Sequence, residues 1–257
     1  MEPIVSEKRI YTLNRKYNYN IKQVIRALKD NEEIINEIPK EQYVTFMNPL
    51  YPCRLLNLYS PPTCLFYEGD LSLLKRKCIG IIGSRQNSEY GRLMTQEMMK
   101  YIPKEYVIVS GLAKGIDGIA HKEAIQSGHK TIGVIGSGLK YIYPRENENL
   151  IKEMKKNHIV ISEYFFEESV RPNHFLERNR IIAGLSDILI VIESQIHSGT
   201  STTVKEMIAL GKEVYVLPHN ITNTNADGNL KLLDEGANLL WNFNEFNELL
   251  KNHLTKS

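Results

Sequence analysis

The sequence predicts an α/β protein in which a parallel sheet carries helices on both faces. From residue 78 onward, short apolar runs rich in β-branched residues alternate with amphipathic helical stretches. Alternation of this kind implies right-handed crossovers between parallel strands. The runs are almost continuously apolar, as strands are when both faces of their sheet are buried. A short helical segment precedes this pattern.

Six apolar runs are the predicted strands. In chain order they are CIGII (78–82), YVIVS (106–110), TIGVI (131–135), HIVIS (158–162), DILIVIE (187–193) and EVYVL (213–217). Helical patterns between them cover residues 88–102, 116–128 and 201–211. Gly128 and Gly211 stand at the ends of two of these patterns, where a helix C-cap is expected.

Residues 1–45 are predicted to form the short helical segment, ahead of a main domain at residues 46–257. A segment of this length cannot bury a core of its own, so we expect it to dock on the main domain or to join an oligomer contact. Proline-rich residues 48–62 are predicted to form an extended connector. Between positions 20 and 38, the apolar residues spaced as one helical stripe are Ile21, Val24, Ile25, Leu28 and Ile35.

Composition excludes some classes of protein and leaves others open. The chain has 257 residues, 42% hydrophobic and 24% charged, as is ordinary for a globular protein. No apolar run reaches the ~18 residues of a membrane-spanning helix, and no signal-peptide pattern is present, so we expect a cytoplasmic protein without membrane contact. The net charge of +2 favours no class of partner. Residues 1–30 carry seven Lys/Arg against three Asp/Glu, which fits a solvated helix face as well as a basic binding surface.

Several motifs of metal and nucleotide chemistry are absent. Cys53, Cys64 and Cys78 form no CxxC pair, and the histidines form no HxxxH or HExxH motif. We therefore expect buried, reduced thiols and no metal ion. The patterns GxGxxG, GxxxxGK[ST] and GxSxG are also missing, so no catalytic residue is assigned.

Four predicted loops at one edge of the sheet are rich in Gly, Ser and Thr. Ligands of open parallel sheets bind beyond the carboxyl ends of the strands, where these loops lie. Glycine allows backbone amides to approach an anion, and a helix N-terminus favours negative charge. One such loop could reflect tight-turn geometry alone, but four together favour an anion or nucleotide site. The candidates are Gly83, Ser84, Arg85, Gly111, Lys114, Gly115, Gly136, Ser137, Gly138, Ser198 and Gly199.

Cationic side chains accompany these loops. The triplet Arg178-Asn179-Arg180 precedes an apolar pair, so we place it at a helix start that faces the cleft. Any single cation could form a surface salt bridge instead, but their shared location favours phosphate binding. The cations are Arg85, Lys114, Lys140, Arg145, Arg178 and Arg180.

Aromatic residues are interleaved with the cations. Rings beside a basic groove hold unpaired bases by stacking, at about 1–3 kcal/mol per base. Most of these rings, Phe175 in particular, are expected in the core, which leaves Tyr143 and Tyr164 as base-stacking candidates. The rings are Tyr141, Tyr143, Tyr164, Phe165, Phe166 and Phe175.

Three carboxylates lie near the predicted cleft. For Asp117, at the start of a predicted helix, stabilisation of the first turn is favoured over acid–base chemistry with His121. Glu163 and Glu193 follow strands at the cleft edge, where they would bind hydroxyl groups or be solvated.

Taken in order, the motifs closely resemble those of the DprA/Smf family. The resemblance covers roughly residues 48–241, and SGLAKGID and RNRIIAGLS are long and highly specific. The motifs are YPxRL (51–55), PPxxLFxxG (61–69), GIIGSR (80–85), SGLAKGIDGIAH (110–121), GVIGSGL (133–139), YPREN (143–147), ISEY (161–164), RNRIIAGLS (178–186), SGTSTT (198–203) and EGA (235–237).

This resemblance implies an extended Rossmann-like domain that binds and protects single-stranded DNA. It also implies loading of the RecA recombinase in natural transformation and homologous recombination, by a homodimer that is not an enzyme and needs no small-molecule cofactor. By motif position, phosphate contacts fall to Ser84 and Arg85. Residues 136–138, Arg145, Arg178 and Arg180 complete the implied DNA cleft.

The chain departs from the family pattern in four places. The N-terminal segment is shorter than the family's SAM-type domain, and no C-terminal winged helix is expected. His219 stands where the family usually has glycine after proline. Residues 227–230 read DGNL in place of a Ser-Gly-x-Asn pattern, so the cleft edge at residues 218–230 departs from the family.

Two other functions remain open. Nucleoside-monophosphate phosphoribohydrolases share the superfold and carry a GGxGTxxE motif, but SGTSTTVK (198–205) places Lys205 where their catalytic glutamate belongs. Glu206 would fill that position only after a one-residue slip, about 100° around a helix. A nucleotide sensor is the other alternative, although cations spread over several loops suit an extended polyanion better than one phosphate group.

Overall fold

Nine strands form one mixed sheet in the computed structural model, which describes residues 6–255. They are β1 (Tyr43–Thr45), β2 (Cys64–Gly69), β3 (Cys78–Ile82), β4 (Val107–Ser110), β5 (Thr131–Ile135), β6 (Ile159–Ser162), β7 (Ile188–Val191), β8 (Glu213–Val216) and β9 (Asn238–Leu239). Their order in the sheet is β1-β2-β6-β5-β4-β3-β7-β8-β9. From β6 to β9 all pairs are parallel, whereas β1–β2 and β2–β6 are antiparallel.

All six predicted strands are present. β3 and β5 have the predicted bounds, and the other four begin and end within two residues of them. Successive residues of β3 point to opposite faces, with Cys78 and Ile82 in one core and Ile79 and Ile81 in the other. Because both faces are covered, a strand of this sheet reads as a continuous apolar run.

Nine helices lie in the described residues, and they cover both faces of the sheet. Those predicted between strands are confirmed as α3, α4 and α7 below. Gly128 and Gly211 follow two of them with φ of +81° and +66°, which confirms both C-caps. The helices are α1 (Glu7–Lys16), α2 (Ile21–Lys29), α3 (Glu89–Met98), α4 (Ile116–Gln126), α5 (Glu148–Asn157), α6 (Pro172–Leu185), α7 (Thr200–Ala209), α8 (Asp227–Asp234) and α9 (Phe243–Thr255).

The single helix expected across residues 20–38 is wrong. α2 ends at Lys29, Asn31 adopts a left-handed φ of +47°, and Ile35 is 93% exposed. Aspartate and asparagine are weak helix formers, and the acidic pair Glu32-Glu33 would place negative charge at a helix C-terminus. A helix that we did not predict, α1, precedes α2 instead.

The N-terminal helices dock on the main domain. Tyr11 of α1 is buried, with its ring centroid 6.1 Å from that of Phe66 and 5.3 Å from that of Phe165. The Glu7 carboxylate accepts a hydrogen bond from the amide of Thr45, at 3.1 Å. These contacts supply the core that the segment lacks.

The proline-rich connector is less extended than expected. Cys53–Asn57 forms a short 3-10 helix with Leu55 buried. Cys53 is exposed, contrary to the expectation of three buried thiols, while Cys64 and Cys78 are buried. Within residues 6–255, no helix is both long and apolar enough to span a membrane.

The strand order reverses direction at β3. From β3 the chain builds the sheet outward through β4, β5 and β6, and it then returns to β7 on the other side of β3. The carboxyl ends of β3 and β7 therefore mark a topological switch point, where a crevice opens between the loops.

Candidate nucleic-acid interface

A cleft of two lobes opens at this switch point, and we call it the strand-end cleft. Its first lobe, of about 660 Å³, lies between the loops after β3 and β7 and one side of α6. Its second lobe, of about 230 Å³, lies between the loops after β4 and β5. Arg85, Phe175 and Arg178 line both lobes.

Most of the predicted site residues line the strand-end cleft. In the first lobe they are Gly83, Ser84, Arg85, Arg178, Asn179, Ser198 and Gly199. In the second lobe they are Arg85, Gly111, Lys114, Gly136, Ser137, Tyr143 and Arg178. The lining of the two lobes does not include Gly115, Gly138, Arg145, Arg180 or Tyr164.

Arg85 stands at the junction of the lobes, on a loop held in place by hydrogen bonds of Ser84. The Ser84 amide donates a 2.6 Å hydrogen bond to the Glu193 carbonyl, and Ser84 Oγ accepts one from the Gln86 amide at 3.0 Å. The Arg85 side chain is exposed, with its Cζ 5.4 Å from the centroid of the Phe175 ring. A guanidinium in this position keeps donors available to an anion while its face packs on a ring.

Phe175 lies in the cleft and not in the core, so its expected burial is wrong. Its ring is half-buried between Arg85 and Tyr143, whose ring centroid lies 5.6 Å away. Tyr143 is 48% exposed. The spacing of Phe175 with Arg178 and Asn179, at i+3 and i+4 on α6, puts the three on one helix face and could have identified this ring from sequence.

Arg178 and Arg180 were predicted together at a helix start, and that placement is wrong. α6 begins at Pro172, so both lie in its interior and point about 200° apart around its axis. Arg180 turns away from the strand-end cleft, and its Nη2 donates to Glu163 Oε1 at 2.6 Å. Arg178 is 3% exposed and forms part of the cleft floor.

The Arg178 guanidinium ties three elements together beneath the cleft. Its Nη1 donates a 2.7 Å hydrogen bond to the Val134 carbonyl of β5. Burial lowers its pKa to about 10, and the carboxylate of Asp117 opposes that shift. A Cβ on Gly111 would lie 1.7 Å from Nη1, so only glycine at this position leaves room for the arginine.

Asp117 lies in the first turn of α4, as predicted, but its hydrogen-bond partners lie in the loop before that helix. Burial raises its pKa, while Arg178 and hydrogen bonds from the Ala113 amide, the Ser110 hydroxyl and the Gly111 amide lower it. His121 has different partners, since its Nδ1 lies 2.6 Å from Thr131 Oγ1. Asp117 and His121 are therefore structural supports of the β4–α4 loop and of α4.

The start of α7 also lines the first lobe. The Asn179 amide Nδ2 donates to the Gly199 carbonyl at 3.1 Å and joins α6 to this loop. α7 begins at Thr200 with no side-chain hydrogen bond at its N-cap. Its N-terminal end faces the lobe, where the helix dipole favours an anion.

Two of the predicted glycines serve close packing. Gly115 has a φ of +72°, and a Cβ there would lie 2.2 Å from the Ser84 carbonyl oxygen. A Cβ on Gly138 would lie 2.1 Å from the Phe165 carbonyl oxygen, and the Gly138 amide already donates to the Glu168 carbonyl at 2.8 Å.

Two predicted cations stand at the rim. Lys114 lines the second lobe and forms a 2.6 Å ion pair with Glu146. Arg145 is exposed in the short 3-10 helix Arg145–Asn147, next to the Tyr143-Pro144 wall of that lobe. Lys140, by contrast, pairs with Glu167 at 3.2 Å.

Tyr164 does not have the exposure that a base-stacking residue needs. It is 2% exposed, with its ring stacked on that of His174 at a centroid distance of 3.8 Å. Its hydroxyl donates a 2.7 Å hydrogen bond to Glu177. The packing of this ring does not support the stacking role suggested for it.

The two strand-end glutamates are buried and have partners within the protein, so the interpretation that they are solvated is wrong. Glu163 is paired with Arg180. Glu193 Oε2 accepts hydrogen bonds from the amide and hydroxyl of Ser88, at 2.8 and 2.9 Å, where α3 begins. Glu163 therefore links the end of β6 to α6, and Glu193 links the loop after β7 to the start of α3.

The departures at residues 218–230 lie outside the strand-end cleft and hold neighbouring chain segments. His219 Nε2 donates to the Ile192 carbonyl at 2.8 Å, and the buried Asn229 side chain donates to the carbonyls of Ile192 and Leu217 at 2.9 Å each. Asp227 accepts a 3.0 Å hydrogen bond from the Ile196 amide. Leu230 is half-buried.

The fold and the cleft define a Rossmann-like α/β protein of the class that holds phosphate-bearing ligands at its strand ends. The family model described as DNA recombination-mediator protein A matches residues 42–251. The chain therefore belongs to this family, the DprA/Smf family.

Individual relatives agree with this assignment. DNA processing protein DprA of Bacillus subtilis is 40% identical over 221 residues, which are 85% of this chain and 72% of that protein. The structure of DprA from Streptococcus pneumoniae superposes with a TM-score of 0.78 at 32% identity, covering 93% of this chain and 91% of that one. DNA processing protein A from Helicobacter pylori, described for its single-stranded DNA binding mode, superposes with a TM-score of 0.75 at 31% identity, covering 83% and 98%.

Proposed function

We propose that this protein binds single-stranded DNA along the strand-end cleft and acts as a recombination mediator, without catalysis. One observation carries the proposal. Arg85, Phe175 and Tyr143 form a continuous row across both lobes, in which one cation is followed by two accessible rings. Stacking platforms beside backbone-binding cations are how proteins hold unpaired strands without regard to sequence.

Phosphate groups have fixed positive partners on both sides of this row. Arg85 and the N-terminal end of α7 face the first lobe, while Lys114 and Arg145 stand near the second. The buried Arg178 adds a positive charge beneath the floor. Charges distributed in this way suit a strand that runs through both lobes.

The arrangement does not favour hydrolysis. The carboxylate that lines the described part of the first lobe is Asp117, and the Ser110–Gly111 loop and Arg178 engage it. Thr200 and Thr203 of α7 line the lobe, whereas Lys205 does not. Glu206 does not line it either, so within residues 6–255 α7 contributes no carboxylate to this lobe.

A nucleotide sensor is the second candidate. The first lobe, at about 660 Å³, lies within the range of small-molecule pockets. A mononucleotide bound in that lobe would leave the ring of Tyr143 in the second lobe without a ligand.

The proposal extends to delivery of the bound strand to the RecA recombinase, by a cytoplasmic homodimer. Family membership supports the recombination part of this extension, since the family model is that of a DNA recombination mediator. Pull-down of purified RecA and light scattering of the purified protein test the two parts separately.

Fluorescence anisotropy with labelled oligonucleotides tests DNA binding. Wild type should prefer single-stranded to duplex DNA, and Arg85→Ala and Phe175→Ala should each weaken binding about tenfold or more. Arg76→Ala is the matched control, because Arg76 precedes β3 and donates to the Lys104 and Glu105 carbonyls at the opposite edge of the sheet. Tight binding of a nucleoside monophosphate with no binding of oligonucleotides would favour the sensor instead.

A further inference from the structure

A second cavity, of about 890 Å³, lies on the other side of the start of α6. Its walls are the turn between α1 and α2, connector residues 59–60 and the segment around Arg180. Pro172 lines both this cavity and the first lobe of the strand-end cleft. The two spaces therefore meet across the first turn of α6, and we call the second one the N-terminal cavity.

Tyr59 is the most exposed ring at the N-terminal cavity. It is 88% exposed, and the Lys22 ammonium lies 5.4 Å from its ring centroid. A ring with so little burial contributes little to the core. A tyrosine beside a lysine is the pairing that stacks a base and attracts its phosphate.

The ridge between the two cavities favours an anion. α6 begins at Pro172 after the N-cap Arg171, with no side-chain hydrogen bond at the cap. The Arg171 side chain is exposed and forms a 2.8 Å ion pair with Glu168. A phosphate on this ridge would meet both the guanidinium and the positive end of a 14-residue helix.

The interior of the N-terminal cavity suits a base better than a phosphate. The carboxylates of Glu163, Glu168 and Glu177 balance the charges of Lys22, Arg171 and Arg180, so the lining is formally neutral. Carboxylate oxygens accept hydrogen bonds from the N–H groups of bases.

We propose that the N-terminal cavity is a further subsite for the same DNA strand, with a base stacked on Tyr59 and the preceding phosphate held on the ridge at Arg171. The N-terminal helices then form one wall of the DNA path. This inference rests on the proposed function, because the strand reaches the subsite from the strand-end cleft.

Oligothymidines of increasing length, from about four to about sixteen nucleotides, test the subsite by anisotropy. Tyr59→Ala should bind the shortest oligonucleotides as wild type does and the longer ones about tenfold more weakly. Tyr59→Phe should behave as wild type at every length, because it keeps the ring. Lys22→Ala should weaken only the longer oligonucleotides, and Lys29→Ala, at the far end of the same helix, should not.

Crosslinking gives an independent readout. Oligonucleotides carrying 5-iodouracil should crosslink to peptides containing Tyr59 when the reactive base lies beyond the length at which Tyr59→Ala loses affinity. Equal affinities of wild type and Tyr59→Ala at all lengths, with Arg85→Ala still weakened, would overturn the subsite alone. Loss of the Arg85→Ala effect as well would remove the proposed function together with this inference.

Discussion

Gly111→Ala is the substitution whose effect follows most directly from the geometry. The added methyl group would lie 1.7 Å from Arg178 Nη1, 2.5 Å from its Cζ and 2.6 Å from a carboxylate oxygen of Asp117. The φ of Gly111 is not left-handed, so the backbone accepts alanine and the contact alone decides the outcome. Arg178 must therefore move.

The expected loss of stability comes from the displaced guanidinium. Moving it breaks the 2.7 Å hydrogen bond to the Val134 carbonyl and separates it from Asp117. Leaving a buried charge without its compensating partners costs about 3–5 kcal/mol. We expect the free energy of unfolding to fall by about 3 kcal/mol or more, measured by urea denaturation.

Two further variants make this test specific. Gly199→Ala adds the same methyl group where the nearest surrounding atom is 4.0 Å away, so its loss should stay below about 1 kcal/mol. The double variant Gly111→Ala/Arg178→Met should lose at least about 1 kcal/mol less than the sum of the single losses, because the methyl group enters vacated space. A Gly111→Ala protein as stable as Gly199→Ala would refute the packing of Arg178 against this loop.

Two other predictions concern stability. Burial lowers the pKa of the His121 imidazole to about 3. As the pH falls below about 6.5, the unfolded chain therefore binds a proton at this residue while the folded chain does not. The free energy of unfolding should then decrease between pH 7 and pH 5 by up to about 1.4 kcal/mol per unit, more steeply in wild type than in His121→Gln; equal slopes would contradict this. Gly138→Ala should cost about 2 kcal/mol or more, because its Cβ would lie 2.1 and 2.3 Å from the Phe165 and Phe166 carbonyl oxygens. A variant of unchanged stability that bound DNA more weakly would instead assign Gly138 to the DNA site.

Six of the nine strands, β3 to β8, could be predicted because they carry an unambiguous signal, whereas β1, β2 and β9 were not predicted. Runs such as 78–82 and 131–135 are apolar on both faces, and their bounds match β3 and β5. The helix predicted across residues 20–38 is too long because periodicity alone places Ile35 in its apolar stripe. The chain breaks at Asn31, where weak helix formers and a left-handed φ outweigh the pattern.

The candidate site was predictable at the loops and less so on α6. Loops that follow parallel strands lie at the same edge of the sheet whatever their sequences. Ser84, Arg85 and Ser198 therefore line one lobe, as expected. Which side of a helix faces the cleft depends on where the helix begins and how it packs. For that reason Arg180 was misplaced and Phe175 was assigned to the core.

The salt dependence of single-stranded DNA binding tests the central claim most directly. For wild type, the logarithm of the affinity should fall linearly with the logarithm of the salt concentration. Arg85→Ala should reduce that slope by about 0.7, the value for one phosphate contact on a single strand, while Arg76→Ala leaves it unchanged. A slope that Arg85→Ala does not alter, or binding that is indifferent to salt, would contradict the placement of the phosphate backbone in the strand-end cleft.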